Sequence, residues 1–262
     1  RDCSDGSLIT TLTGHTGAVH ELKIRDGKLY STSYDHTIKI WDCSNDTLIR
    51  TLTGHTDDVY FLELHDGKLY SGSMDRTIKV WNLSTNKLVK TLTGHTDAVY
   101  CLTINDGMLY SGSWDRTIKI WDCSTDALIK TLTGHTSVVY CLTINDGKLY
   151  SGSADGTIKV WNLSNHELIT TLGVPADDDE EGENEGHTQR MPVLCLTIHG
   201  DKVYSGSYNK TIKVWNCSTD KLITTLTGHT GAVGLLTIYS GKLYSCQGPY
   251  PGVDNTIKVW DC

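Results

Sequence analysis

Residues 124–163 have the sequence STDALIKTLTGHTSVVYCLTINDGKLYSGSADGTIKVWNL, and the architecture of the chain can be predicted outward from this stretch. Apolar and polar side chains alternate in four short segments, which predicts half-buried strands at residues 128–132, 139–144, 148–153 and 157–161. The pairs Asp146-Gly147 and Asp155-Gly156 are typical of the tight turns that join such strands. No segment has the period or length of a helix, so we predict a meander of four antiparallel strands.

The same pattern recurs along the chain. Residues 84–123 differ from residues 124–163 at 11 of 40 positions, so two adjacent units are nearly the same sequence. Tryptophan marks the equivalent place in each of six units, at Trp41, Trp81, Trp121, Trp161, Trp215 and Trp260. A single four-stranded sheet cannot bury both of its faces, so tandem copies of it must stack on one another.

A Gly-His pair precedes each Trp-Asp or Trp-Asn pair, by about 26 residues in the unit quoted above. This pattern resembles the WD40 repeat of β-propellers. The resemblance implies an all-β, six-bladed propeller with four-stranded antiparallel blades, formed by residues 1–262 as a single domain. Residues 7–12 resemble the last strand of a unit, and we expect them to complete the final blade and close the ring. Because residues 1–3 resemble a Trp-Asp-Cys end with the Trp replaced, we also expect a longer parent sequence.

The resemblance further implies a buried hydrogen-bond network of Asp, His, Ser and Trp in each blade. Its histidines are His15, His55, His95, His135, His187 and His229, and its serines are Ser31, Ser71, Ser111, Ser151, Ser205 and Ser245. Its turn residues are Asp35, Asp75, Asp115, Asp155, Asn209 and Asp254, and each network ends on the Trp of its unit. Because an amide carries no charge, we expect the network containing Asn209 to be the weakest.

Ser, His and Asp together also suggest nucleophilic catalysis, but an active site is needed once and this set recurs in every unit. We therefore expect no enzyme, no catalytic residue, no cofactor and no metal. The nine cysteines include no C-x-x-C pair, and several stand where other units have Leu, so they act as small apolar residues. Unpaired cysteines predict a reducing compartment, which is the cytoplasm or the nucleus.

Charge and hydropathy exclude two classes of partner. The net charge of −8 argues against nucleic acid, and the absence of any run of 18 apolar residues argues against a membrane span. Seven of the acids lie in an insertion at about residues 173–190, which is typical of a solvated loop; a binding site for basic peptides is the alternative. A short Pro/Gly-containing insertion at about residues 247–252 is predicted at the same end of the sheets.

The positions that vary between units are the best candidates for function. Around the same end they carry the predicted partner-binding residues Tyr34, Tyr60, Met74, Arg76, Tyr100, Trp114, Arg116, Tyr140 and Tyr208. Some WD40 substrate receptors of ubiquitin ligases grip phosphopeptides with arginines of this kind; two solvated arginines are the alternative here. We expect a monomeric interaction platform for proteins or peptides, phosphorylated peptides included, as a substrate-recognition or scaffold domain. The alternative is a structural or engineered repeat scaffold without a ligand.

Overall fold

The structure is a computed structural model that describes residues 8–173, 191–248 and 256–262. These residues form 23 β-strands and no helix, and therefore no helix of the length and hydrophobicity that a bilayer crossing needs. The chain contacts divide into two compact units, Arg1–Val99 and Tyr100–Cys262. Residues 174–190 and 249–255 lie outside the description, and with them His187, Asp254 and most of both predicted insertions.

The first unit contains two four-stranded antiparallel sheets whose strands pair in chain order. The strands of the first sheet are β1 (Val19–Arg25), β2 (Lys28–Ser33), β3 (Ile38–Asp42) and β4 (Thr47–Leu52). Those of the second sheet are β5 (Val59–His65), β6 (Lys68–Ser73), β7 (Ile78–Asn82) and β8 (Lys87–Leu92).

The second unit contains four more sheets, the first of which begins at the boundary residue Val99. The third sheet has β9 (Val99–Asn105), β10 (Met108–Ser113), β11 (Ile118–Asp122) and β12 (Ala127–Leu132). The fourth has β13 (Val139–Asn145), β14 (Lys148–Ser153), β15 (Thr157–Asn162) and β16 (Leu168–Gly173). The fifth has β17 (Val193–His199), β18 (Lys202–Ser207), β19 (Ile212–Asn216) and β20 (Leu222–Leu226). The sixth has β21 (Val233–Tyr239), β22 (Lys242–Gln247) and β23 (Ile257–Asp261).

The four strands predicted within residues 124–163 are confirmed, with ends that differ by no more than one residue, but β12 pairs in the third sheet and only β13, β14 and β15 pair with one another in the fourth. The predicted hairpin turn joins β13 to β14 through Asp146 at φ 44° and Gly147 at φ 70°. Two successive left-handed residues define the turn type whose twist matches that of antiparallel strands, which is why Asp-Gly recurs at this place.

The core lies between successive sheets. Within a unit, a sheet packs its trailing face, which points to the next sheet along the chain, on the leading face of that next sheet. In the first unit the trailing face of sheet one contributes Tyr30, Ile38, Ile40 and Leu52, and the leading face of sheet two contributes Val59, Leu62, Leu69 and Trp81. The same pairing recurs between sheets four and five and between sheets five and six of the second unit. Apolar burial between sheets thus provides the main stabilisation.

The predicted closure of the sixth sheet by residues 7–12 is not confirmed. In the described part of the chain this sheet has three strands, and residues 8–15 lie outside any strand. A fourth strand requires a ladder of backbone hydrogen bonds along β23, and the structure shows none of the described residues pairing there. The pairing therefore stays a prediction.

Candidate protein-binding surface

The Asp-His-Ser-Trp network holds the turns that carry the variable positions. In the second sheet, His55 Nδ1 lies 2.7 Å from Asp75 Oδ2, and His55 Nε2 lies 2.7 Å from the hydroxyl of Ser71. Trp81 Nε1 donates to the same hydroxyl at 2.9 Å. Complete networks of this kind are also seen in the first sheet around His15 and in the fourth around His135.

Electrostatics keep this network in one protonation state. Burial alone would raise the pKa of Asp75, but hydrogen bonds from His55 and Thr77 outweigh burial and hold that pKa well below its ordinary value. Burial lowers the pKa of His55. Ser71 is fully buried and bonded to both His55 and Trp81, so no substrate can reach its hydroxyl. The arrangement is suited to holding the turn between β6 and β7 rather than to nucleophilic attack.

The fifth network differs at its turn residue. Asn209 Oδ1 accepts bonds from the backbone amide and the hydroxyl of Thr211, at 3.2 and 2.7 Å, whereas Asp75 Oδ1 accepts the equivalent bonds at 3.0 and 2.6 Å. The histidine predicted for this network, His187, lies outside the described residues, as does Asp254 of the sixth network. The greater weakness of the fifth network stays a prediction.

An aromatic cluster in the first unit is formed by His20, Tyr34 and Tyr60. The ring centroid of His20 lies 4.5 Å from that of Tyr60 and 5.2 Å from that of Tyr34, and the two tyrosines meet edge to face at 5.9 Å. Tyr60 is only 8% exposed, and its hydroxyl donates to Met74 Sδ at 3.3 Å. Tyr34 is exposed, so it offers the larger tyrosine surface to a ligand.

Acidic and histidine side chains border this cluster. Burial and the neighbouring Asp57 raise the pKa of Asp58, whereas burial lowers the pKa of His20. Ligand atoms of His36, Asp57 and Asp58 all lie within 4.8 Å of one another. Within the described ranges this is the one set of three or more side chains that could hold a metal ion, and the sequence analysis missed it because its members lie on two different turns.

A second aromatic cluster lies in the second unit. Tyr100 stacks on Trp114 with ring centroids 6.5 Å apart and meets Tyr140 edge to face at 5.2 Å. Trp114 is 37% exposed, and Tyr208 on the fifth sheet is exposed as well. Burial raises the pKa of Tyr140, so its hydroxyl stays neutral and offers a hydrogen bond rather than a charge. The variable positions therefore carry exposed aromatic area in both units.

Arg76 and Arg116 occupy equivalent positions, one in each unit. Both are exposed, and neither forms an ion pair among the described residues. Both have a left-handed backbone conformation, at φ 69° and 71°. The equivalent residue of the fourth sheet, Gly156, has the same conformation. Their guanidinium groups are therefore available to an anionic ligand.

A charged cluster, which the sequence analysis did not predict, joins the first two sheets. The backbone amide of Leu62 donates to Glu21 Oε2 at 2.7 Å, and Lys23 Nζ lies 2.9 Å from Glu63 Oε1 and 3.7 Å from Glu21 Oε1. Burial raises the pKa of Glu21 to about 7. The sequence signal that could have found the cluster is that Lys23 and Glu63 replace the Thr of the other four units.

Comparisons with known proteins agree with this architecture. A sequence model described as "WD domain, G-beta repeat" matches residues 6–42, 46–82, 86–122, 126–162, 180–216 and 220–261. Kinesin-like protein KIF21B of Mus musculus is 35% identical over 29% of this chain, and small ribosomal subunit protein RACK1y of Oryza sativa subsp. japonica is 31% identical over 31%. Cell division control protein 4 of Saccharomyces cerevisiae is 36% identical over 26% of this chain.

These alignments cover only 4%, 24% and 8% of the three relatives, so the chain matches a small part of each. The crystal structure of the computationally designed Ika8 protein is also similar, with 32% sequence identity and a TM-score of 0.80. That similarity covers 97% of this chain and 74% of the designed one.

Proposed function

This chain belongs to the WD40 repeat family, and we propose that it is a non-enzymatic platform that binds protein or peptide ligands through its variable turn positions. The observation that supports this proposal most is the exposed aromatic area of Trp114, Tyr34 and Tyr208 at positions that differ between units. Partly exposed aromatic side chains held by neighbouring rings lose little conformational entropy on binding, which is typical of binding hot spots.

The two free guanidinium groups favour a phosphorylated or acidic ligand. An arginine can donate two parallel hydrogen bonds to a phosphate, and such charge-assisted bonds are stronger than neutral ones. Arg76 lies two residues after Met74, and Arg116 lies two residues after Trp114. Each cation is therefore close in sequence to a large apolar side chain. A ligand that combines a phosphate with an apolar side chain fits this chemistry.

A synthetic array of peptides, each printed with and without phosphorylated Ser or Thr, would test the proposal. We expect some peptides to bind the unaltered chain and the Trp114→Ala, Tyr100→Leu double variant to lose on the order of 30-fold in affinity. Ala154 and Leu194 stand at these two positions in other units, so the fold should tolerate both changes. The matched control is Tyr239→Asn. Tyr239 is an exposed aromatic residue outside the proposed surface, and Asn105 and Asn145 occupy the equivalent positions of two other units.

The arginine contribution is tested separately with Arg76→Gly and Arg116→Gly, because Gly suits the left-handed conformation at both places. We expect phosphorylated peptides to lose affinity and their unphosphorylated twins to keep it. Equal binding of both variants and of the unaltered chain to the phosphorylated peptides would refute the role of the arginines.

A structural repeat scaffold without a ligand is a second candidate, favoured by the likeness to a designed protein along 97% of the chain. If the chain is such a scaffold, we expect no peptide on the array to bind the Tyr239→Asn control better than the Trp114→Ala, Tyr100→Leu variant. We also propose a reducing compartment, the cytoplasm or the nucleus, because none of the eight cysteines in the described part of the chain forms a disulfide bond. Fluorescence microscopy of the tagged chain would test the location.

A further inference from the structure

Two neighbouring turns of the first unit bring one histidine and two aspartates together. His36 lies in the turn between β2 and β3 of the first sheet, and Asp57 and Asp58 lie directly before β5 of the second. One nitrogen of His36 and one carboxylate oxygen of each aspartate all lie within 4.8 Å of one another. Imidazole nitrogen and carboxylate oxygen are both ligands that zinc accepts in proteins.

This group of side chains is built from positions that vary between units. No other unit has an acid at the position of Asp58, and no other unit has a histidine at the position of His36. The residues that occupy these two positions elsewhere are Ala18, Ala98, Val138, Pro192 and Ala232 for the first, and Arg76, Arg116, Gly156, Lys210 and Asn255 for the second. Two separate departures from the repeat therefore meet in one place, although the packing of the repeat requires neither.

The charges around the two aspartates favour a bound cation. The negative charge of Asp57 raises the pKa of Asp58, in addition to the effect of burial, and the only opposing charges come from His36 and His20. Among the described residues, no lysine or arginine forms an ion pair with either aspartate. Two carboxylates that repel one another are stabilised by a cation that both of them bind.

Hydrogen bonds hold the two aspartates in place. The amide of Met74 donates to the carbonyl of Asp58 at 2.9 Å, and the hydroxyl of Ser73 donates to the carbonyl of Asp57 at 3.1 Å. The amide of Asp58 also donates to Asp57 Oδ1 at 2.9 Å, which orients this carboxylate and leaves Oδ2 for a metal ion. Hydrogen bonds of this kind fix the orientation of metal ligands and raise the affinity of a site.

The turn that carries His36 is closed in a similar way. The amide of Thr37 donates to Asp35 Oδ1 at 3.0 Å, so a hydrogen bond spans His36, whose own side chain is exposed. Nearby, burial lowers the pKa of His20 against the opposing charge of Asp58, so its imidazole stays in the neutral form that metal ions bind.

The geometry requires only a small movement. Zinc bonds of about 2.0–2.1 Å place the ligand atoms of a tetrahedral site about 3.4 Å apart. From separations of no more than 4.8 Å, the three side chains need to approach by about 1.4 Å or less, and rotation of the exposed His36 side chain can supply this. We propose that His36, Asp57 and Asp58 bind a zinc ion, with water or His20 as the fourth ligand. This site needs no peptide ligand, so it goes beyond the proposed function, and it would replace the expectation of no metal.

Isothermal titration calorimetry of the full chain with zinc chloride tests the proposal, in a buffer with a phosphine reductant and no chelator. We expect one zinc ion per chain, and we expect His36→Arg and Asp58→Ala each to weaken its binding more than about 10-fold. Arginine and alanine occupy these two positions in other units, so the fold should tolerate both changes. Absence of zinc binding to the unaltered chain would overturn the proposal.

The matched control is His65→Asn, which removes a different histidine of the first unit. His65 Nε2 lies 3.3 Å from Asp66 Oδ2, so this is also a His-Asp pair, and Asn105 and Asn145 occupy its position in other units. We expect the control to bind zinc like the unaltered chain. Equal zinc affinity of the control and of the His36→Arg and Asp58→Ala variants would refute the assigned ligands.

X-ray absorption spectroscopy of the zinc-loaded chain separates this site from binding by the cysteines. We expect nitrogen and oxygen neighbours at about 2.0–2.1 Å, whereas cysteine ligands would give sulfur neighbours at about 2.3 Å. A sulfur shell would overturn the proposal. Displacement of zinc by equal concentrations of magnesium or calcium chloride would also overturn it, because these ions prefer oxygen ligands and would leave no role for His36.

Discussion

Replacing His135 by Ala should destabilise the fourth sheet without affecting any chemistry. His135 is buried, with Nδ1 2.8 Å from Asp155 Oδ2 and Nε2 2.8 Å from the hydroxyl of Ser151. The change removes both hydrogen bonds and leaves a space the size of an imidazole. Asp155 would keep its bonds from the amides of Thr136 and Thr157, so its carboxylate would lose one hydrogen-bond donor but not all of them.

The expected cost follows from these contacts. Two hydrogen bonds at ~1 kcal/mol each, together with partial desolvation of the partners that remain, give ~2–4 kcal/mol. For a chain of this length such a loss lowers the melting temperature by about 5–15 °C, provided that the sheets unfold together. Urea denaturation followed by tryptophan fluorescence measures the cost, and hydrogen exchange shows whether the loss is confined to β13–β16.

The cost should also depend on pH. Burial raises the pKa of Asp155, but the hydrogen bonds from His135 and Thr157 outweigh it and hold that pKa below its ordinary value. A lowered pKa gives stability that is present above the ordinary Asp pKa of ~3.9 and is lost as the pH falls below it. The difference between the two proteins should therefore shrink in acid. His199→Asn, at an exposed strand end where Asn105 and Asn145 stand, is the control.

An unchanged melting temperature for His135→Ala would refute this reasoning. Loss of a hydrolytic activity at unchanged stability would instead restore the catalytic interpretation of Ser, His and Asp. We expect neither outcome, because Ser151 is fully buried and its hydroxyl accepts a hydrogen bond from Trp161 Nε1 at 2.9 Å.

Three further changes test other contacts. Burial raises the pKa of Glu21 from 4.5 to about 7, so the unaltered chain loses stability as the pH rises through this range. Glu21→Gln has no such group and should gain stability relative to the unaltered chain over the same range. Urea titrations at pH 5 and pH 8 would check this. Gly152→Ala should cost ~1–3 kcal/mol, since its Cβ would lie 2.6 Å from Cys141 Sγ, and adding Cys141→Ala should recover part of the loss in a thermal melt. Asn209→Asp should raise stability by ~1 kcal/mol, because a charged acceptor strengthens the bonds from Thr211, and an unchanged urea midpoint would contradict it.

Local structure was predictable because it depends on neighbours in the sequence. The turn at Asp146-Gly147 needs only two residues that accept a left-handed conformation, and the alternation around it fixes which side of each strand is buried. Residues 8–12 show where this stops. Their sequence, LITTL, is identical to that of β20, but a fourth strand also needs a free strand edge beside it, and no local pattern specifies where that edge lies.

The candidate surface was predictable in position but not in detail. Tyr60 and Tyr100 share one slot, yet the ring of Tyr60 is buried while that of Tyr100 is half-buried. The difference comes from their neighbours, since Tyr60 packs against His20 and bonds to Met74, whereas Tyr100 stacks on Trp114. Burial of one side chain thus depends on pairs of variable residues from different turns, and such pairs are not visible in a single unit.

The division of roles within each unit also explains how such a surface can vary. The residues next to the Asp of each turn differ between units, as Trp114 and Ala154 show. They can differ because the turn is held by the hydrogen-bond network of Asp155, His135, Ser151 and Trp161, and not by the variable side chains. A change at a variable position therefore alters what a ligand meets while the supporting bonds stay in place. Under the proposed function, stability and ligand choice depend on different atoms, so the proposed binding surface can change without a matching loss of the fold.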